Sequence, residues 1–184
     1  FQLLSKRSTP GADGVVVDEF DPRTEAVVEH GGARERALDA IRLDEAHRVT
    51  RGKGIRIAVL DSGVDASHPA LAGRLLTGFD FVDGDDDPSE KSDISSGTYG
   101  HGTHVAGILA QIAPEARIMP MRILDAGGNS NSWVLAEAML RAMDPDGDPA
   151  TDDGAHVINL SVGTLTKTQL FKTVAKLVTC KLSN

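Results

Sequence analysis

The sequence has 184 residues, 40% of them hydrophobic and 25% charged, a balance that suits one globular domain rather than a disordered chain. Nineteen basic residues against twenty-seven acidic ones give a formal charge of −8, which disfavours a nucleic-acid partner because the chain as a whole repels phosphate backbones. No apolar run approaches the ~20 residues that span a bilayer, no basic segment followed by an apolar core marks a signal peptide, and Cys180 stands alone, so neither an internal disulfide nor a cysteine zinc cluster can form.

Residues 1–33 mix glycine and charge around Val15–Val17 with no sustained period. From Ala37 to Val49 the apolar positions Leu38, Ile41, Ala46 and Val49 predict an amphipathic helix, ended by Arg51-Gly52-Lys53-Gly54. Arg56 to Leu60 reads as the first core strand. Residues 62–100 are rich in turn formers and acids, with a short strand expected at Leu76–Val82. A helix follows at His101–Ile112, then a strand at Arg117–Leu124, where Pro120 lacks a ladder donor and predicts an edge or an interruption. Ser132 is the expected cap of a helix to Met143, Asp144–Gly154 an acidic loop, and Val157–Val162 a further buried strand. Leu170, Val174, Leu177 and Val178 mark a last helix. Strands alternating with helices predict an α/β fold with a mainly parallel sheet and helices on both faces.

Two segments carry the chemistry. Ile57-Ala58-Val59-Leu60-Asp61-Ser62-Gly63 is an apolar strand ending on an acid before a glycine turn, and His101-Gly102-Thr103-His104-Val105-Ala106-Gly107 opens a helix. Together they resemble the Asp and His motifs of the subtilisin-like serine peptidases, or subtilases, whose triad runs Asp, His, Ser along the chain; this order is a general reference case for such enzymes. The resemblance covers roughly Ala37 to Gly163. It implies a three-layer subtilisin-like fold, with residues 1–33 as a propeptide tail or linker and residues 34–184 as an incomplete catalytic domain lacking its C-terminal half. It also implies Asp61 as the orienting carboxylate, His101 as the general base, and a serine endopeptidase acting on polypeptides, secreted from the cell. No Gly-Thr-Ser-Met-Ala-like nucleophile segment and no Gly-x-Ser-x-Gly elbow is present in the sequence. The alternative is a catalytically dead module that binds peptide or a partner.

Ser161, Val162 and Gly163, after Ile158-Asn159-Leu160, resemble one wall of the family's substrate cleft, and Gly127 and Gly128 the segment opposite; small residues at a strand end let a peptide backbone approach. His104, three positions after His101, admits a metal site with Asp61, but no His-Glu-x-x-His pattern accompanies it, and it is read as structural. His30, His47, His68 and His156 read as surface or locally bonded. Asp144, Asp146 and Asp148 alternate as calcium ligands would. Pro149 and Ala155 stand where an EF-hand needs Gly and Glu, which leaves a looser structural calcium cage there or near Asp80, Asp83 and Asp85. No organic cofactor is expected.

Overall fold

The computed structural model describes residues 38–163 and 169–182. The expected propeptide tail or linker at 1–33, and His30 with it, lie outside the described residues. The elements are helix α1 (Leu43–Val49), strand β1 (Arg56–Asp61), a single 3-10 turn at Pro69–Leu71, strand β2 (Phe79–Asp80), helix α2 (His101–Ile112), strand β3 (Arg117–Arg122), helix α3 (Ser132–Met143), strand β4 (Val157–Leu160) and helix α4 (Gln169–Leu182). The strands form one sheet in the order β2-β3-β1-β4, and each pairing is parallel.

Strand periodicity sorts the side chains of β1 between two cores. Ala58 and Leu60 face α3 and α4, packing with Met119, Met121, Leu135, Ala138, Met139, Ala142, Val174 and Val178. Ile57 and Val59 face the other way, with Ile118, Val64, Leu71, Ala106 and Ala110 of α2. The result is the expected three-layer α/β arrangement with helices on both faces. Each fully buried leucine or isoleucine in these layers contributes about 1.5–3 kcal/mol by leaving water.

Several boundaries differ from the sequence expectation. The helix expected over 37–49 is broken at Arg42, which sits in the left-handed region at φ 54° and pairs with Glu45. Pro120 lies in the interior of the sheet, opposite Val59, rather than on an edge. Ile118 N–H donates to the Arg74 carbonyl and its own carbonyl accepts from Leu76 on the β2 side, and residue 120 faces the same side two positions on. Pro120 has no N–H to extend that ladder, so the strand expected at 76–82 shrinks to Phe79–Asp80. Asn131, not Ser132, caps α3: its side chain accepts from Trp133 N at 2.9 Å and Val134 N at 3.1 Å, while Ser132 is the first helical residue. In α4, Val174 and Val178 are buried but Leu177 is exposed, so the apolar face is narrower than its spacing suggests.

Candidate active site

Strand periodicity decides where Asp61 points. It follows Ile57 and Val59 at spacings of two, so it lies on the face covered by α2, and there it is 1% exposed. Gly102 lets α2 close onto that face, because a Cβ there would overlap the Gly63 carbonyl and press on the Asp61 side chain. His101, the first residue of α2, is thereby brought to the end of β1.

The His101 Nδ1 lies 2.7 Å from Asp61 Oδ1. A buried carboxylate paired with an imidazole accepts, so Nδ1 carries the proton and Nε2 the lone pair. Ser62 N–H donates to the same Oδ1 at 2.7 Å, while the buried Oδ2 has no hydrogen-bond partner among the described residues. Burial pulls the His101 pKa down, but the Asp61 hydrogen bond, the Asp61 charge and the Glu90 charge together hold it above the usual histidine value. His104 is pushed the other way, by burial and by the His101 charge. The arrangement can therefore take a proton at Nε2 and stabilise the resulting imidazolium, which is what a general base must do.

The remaining expected site residues fall at the same end of the sheet. In an α/β sheet, ligands gather at the carboxyl ends of the strands, and β1 lies between β3 and β4. Ser161, Val162 and Gly163 leave β4 just beyond the Leu60–Leu160 pairing and are half-buried. Gly127 and Gly128 sit in the turn after β3: Asp125 Oδ1 accepts from Gly127 N–H and Asn129 N–H, each at 2.9 Å, and its carbonyl from Gly128 N–H. The Ala126 carbonyl accepts from Ser96 and Thr98, which ties this turn to the loop that enters α2. A cavity of about 350 Å³ opens beside the start of α2, lined by Asp65, His68, Ser89, Glu90, Tyr99 and Thr103 among others, and neither Asp61 nor His101 lines it.

The acidic clusters resolve differently from their spacing. Asp80 is fully buried and bonded by Arg122 at 2.6 Å and by Lys91 at 2.9 Å, and the same two cations reach Asp83. Lys91 also lies 3.6 Å from Asp85. Internal cations thus neutralise the acids where a calcium cage at Asp80, Asp83 and Asp85 was expected, and that reading is corrected. In the second loop, Asp148 is not in the cluster; its Oδ1 accepts from Ala150 N–H. Asp153 takes its place, with one carboxylate oxygen from each of Asp144, Asp146 and Asp153 within 4.8 Å of the others. Among the described residues this is the one group of three or more metal-ligating side chains, so a metal site on Asp61, His101 and His104 is not formed. His68 is locally hydrogen-bonded, its Nδ1 accepting from Ala70 N–H, and His156 is exposed, as expected, but His47 and His156 bond to distant segments, at the Ile112 carbonyl and the Arg56 N–H.

Sequence reasoning missed Glu90, Ser62 and Asp153. Glu90 lies in an aperiodic stretch and gives no sequence signal. Ser62 is masked by its neighbour Asp61. The Asp152-Asp153 pair could have been weighed with the alternating acids.

Comparison with known proteins agrees with this geometry. The profile of the subtilase family, peptidase S8, matches residues 52–180. A thermophilic serine proteinase of Bacillus sp. (strain AK1) is 41% identical over 131 residues, covering 65% of this chain and 29% of the relative. Thermitase of Thermoactinomyces vulgaris is 35% identical over 141 residues, covering 71% of this chain and 45% of the relative. The chain thus spans less than half the length of these relatives. The crystal structure of a cold adapted subtilisin-like serine proteinase superposes with a TM-score of 0.57 at 27% identity, over 70% of this chain and 44% of that one. Other relatives include both an extracellular and an intracellular protease of Bacillus subtilis (strain 168).

Proposed function

The chain belongs to the subtilase family, and from that premise we propose that it supplies the carboxylate and the base of a serine endopeptidase, with Asp61 orienting His101. The observation that carries the proposal is the 2.7 Å contact between the buried Asp61 carboxylate and His101 Nδ1. With Nδ1–H held by Asp61, Nε2 faces the reaction as the basic nitrogen. It takes the proton of an attacking serine hydroxyl, and the imidazolium so formed returns it to the leaving amine. Because its pKa is held up, His101 is neutral, and competent as a base, only above that raised value.

Gly127 and Gly128 on one side of β1, and Ser161, Val162 and Gly163 on the other, are proposed to hold the extended polypeptide substrate between them. Their positions after β3 and β4 support that role. The nucleophile serine is not assigned to any residue of this sequence, so the 184 residues by themselves are expected not to cleave peptides. Loss of one triad member leaves only the ~10³ to 10⁴-fold enhancement that the oxyanion hole and binding sustain.

A chromogenic peptide assay tests both parts. The 184-residue chain should give no turnover above buffer. A form extended to include a Gly-Thr-Ser segment of the family should give turnover that His101→Ala abolishes. Hydrolysis by the short chain that His101→Ala removes would reveal an unassigned nucleophile. An extended form indifferent to His101→Ala would refute the base assignment. Secretion belongs to the same proposal, and recovery of the protein from the culture medium tests it.

We also propose a structural calcium ion at Asp144, Asp146 and Asp153. Calcium takes carboxylate oxygens at about 2.3–2.6 Å, a spacing the three oxygens fit, and the buried Asp144 Oδ1 has no hydrogen-bond partner among the described residues. Millimolar calcium should raise the melting temperature by binding the folded state, and Asp153→Asn should reduce the rise. An unchanged melting temperature with no heat of titration would refute it.

A further inference from the structure

The start of α2 is capped by side chains that are remote in sequence. A helix leaves its first N–H groups without intrahelical partners, and a cap residue ordinarily satisfies them with its own side chain. Here the cap residue is Gly100, which has none. The Gly100 N–H donates instead to Glu90 Oε2 at 2.9 Å, and the Gly102 N–H to Ser62 Oγ at 3.2 Å. Ser62 Oγ in turn donates to the same Glu90 Oε2 at 3.0 Å, and Ser92 N–H fixes Oε1 at 2.9 Å. A capping box in which an acid takes the cap N–H and a hydroxyl takes an N–H of the first turn has been assembled from two other segments. Gly63, at φ 110°, makes it fit: a Cβ there would overlap the Ser89 carbonyl, so only glycine lets the loop that carries Glu90 run past the end of β1.

We propose that Glu90 is a positioning residue for His101: one carboxylate oxygen holds, directly and through Ser62, the two peptide N–H groups on either side of it, and so aims the imidazole at Asp61. This deepens the function proposed above and rests on the pairing of Asp61 with His101. The charge acts together with the clamp. The positive end of a helix disfavours an imidazolium at its first residue, and a carboxylate bonded to that end offsets it. Glu90 is accordingly one of the groups that raise the His101 pKa. The charged groups acting on His101 are Asp61 from β1 and Glu90 from the loop before α2, while His104, on the helix itself, is lowered by the His101 charge.

Proton NMR of the 184-residue chain tests this without any need for turnover. In the unmodified chain, His101 should titrate above the usual histidine value and show a downfield Nδ1–H resonance that Asp61→Asn removes. If that resonance is missing, the Asp61–His101 reading itself fails. If it is present, Glu90→Gln should lower the His101 pKa and weaken the resonance, and Glu90→Asp should restore part of both. Ser62→Ala should weaken the resonance with a smaller change in pKa, since it breaks the relay to Gly102 and keeps the charge. A Glu90→Gln chain that keeps its fold, its His101 titration and its Nδ1–H resonance would overturn the proposal while leaving the pairing intact. Should Glu90→Gln not fold, amide exchange in the unmodified chain decides: Gly100 and Gly102 N–H must both be protected, and rapid exchange of either overturns the clamp.

Discussion

Replacing Arg122 by methionine should destabilise the fold by about 3 kcal/mol, the low end of the ~3–5 kcal/mol cost of stripping one partner from a buried ion pair. The Asp80 side chain is 0% exposed and that of Arg122 5%, and Arg122 donates to Asp80 at 2.6 Å. Methionine keeps most of the apolar stem, so the loss is electrostatic. The low end applies because Lys91 stays 2.9 Å from the same oxygen and Val82 and Asp83 N–H groups still hold Oδ1. At ~2–4 °C per kcal/mol for a domain of this size, the melting temperature should fall by about 6–12 °C. Arg122 Nε has no hydrogen-bond partner among the described residues, so the pair is imperfect and worth less than the cost of breaking it. Adding Asp80→Asn to Arg122→Met should therefore recover much of the loss. Burial alone would raise the Asp80 pKa, but the bonds from Arg122, Lys91 and the two backbone N–H groups bring it below the usual value. A depressed folded-state pKa contributes stability that is present above the unfolded value of about 3.8 and disappears as pH falls through the folded one. The variant should accordingly lose stability at a higher pH on acidification. Thermal and urea unfolding across the double-mutant cycle measures both effects. A fall under about 2 °C, or single and double variants whose effects simply add, would refute the reasoning.

Gly102→Ala should cost about 1–3 kcal/mol, since the added Cβ meets the Gly63 backbone carbonyl, which cannot swing aside as a side chain would; a urea midpoint equal to that of the unmodified chain would contradict it. Asp61→Asn should make His101 titrate at lower pH, because burial would then act with the main opposing hydrogen bond and charge removed, and NMR titration reads this directly. A raised folded-state pKa contributes stability fully present below about pH 6.5 and lost as pH rises through the folded value. That contribution should be missing from the pH dependence of unfolding in Asp61→Asn.

The residues themselves announced a good deal. The alternation of Ile57, Val59 and Asp61 put the acid on one face of a strand, and the glycine turn after it put it at the strand's end. A helix opening on His101-Gly102 then had to meet that face, because an apolar stripe on Ala106 and Ala110 has only the sheet to cover it. These are local patterns with fixed periods, which is why the α/β class, the parallel sheet and the Asp61–His101 pair could be read from spacing together with family resemblance. Contacts between segments with no period could not. Whether the acids at 80–85 bind calcium or internal cations depended on Arg122 and Lys91 arriving from elsewhere in the chain. Asp153 displaced Asp148 because the loop folds back on itself, with Ala155 N–H bonded to the Ala142 carbonyl. Glu90 came to the base of α2 only because glycine at 63 leaves room for another strand of backbone to pass. Sequence fixes what each segment does with its own neighbours at short range; which charge stands beside which is settled by packing, since charges act through space and the chain brings distant ones together only when it folds.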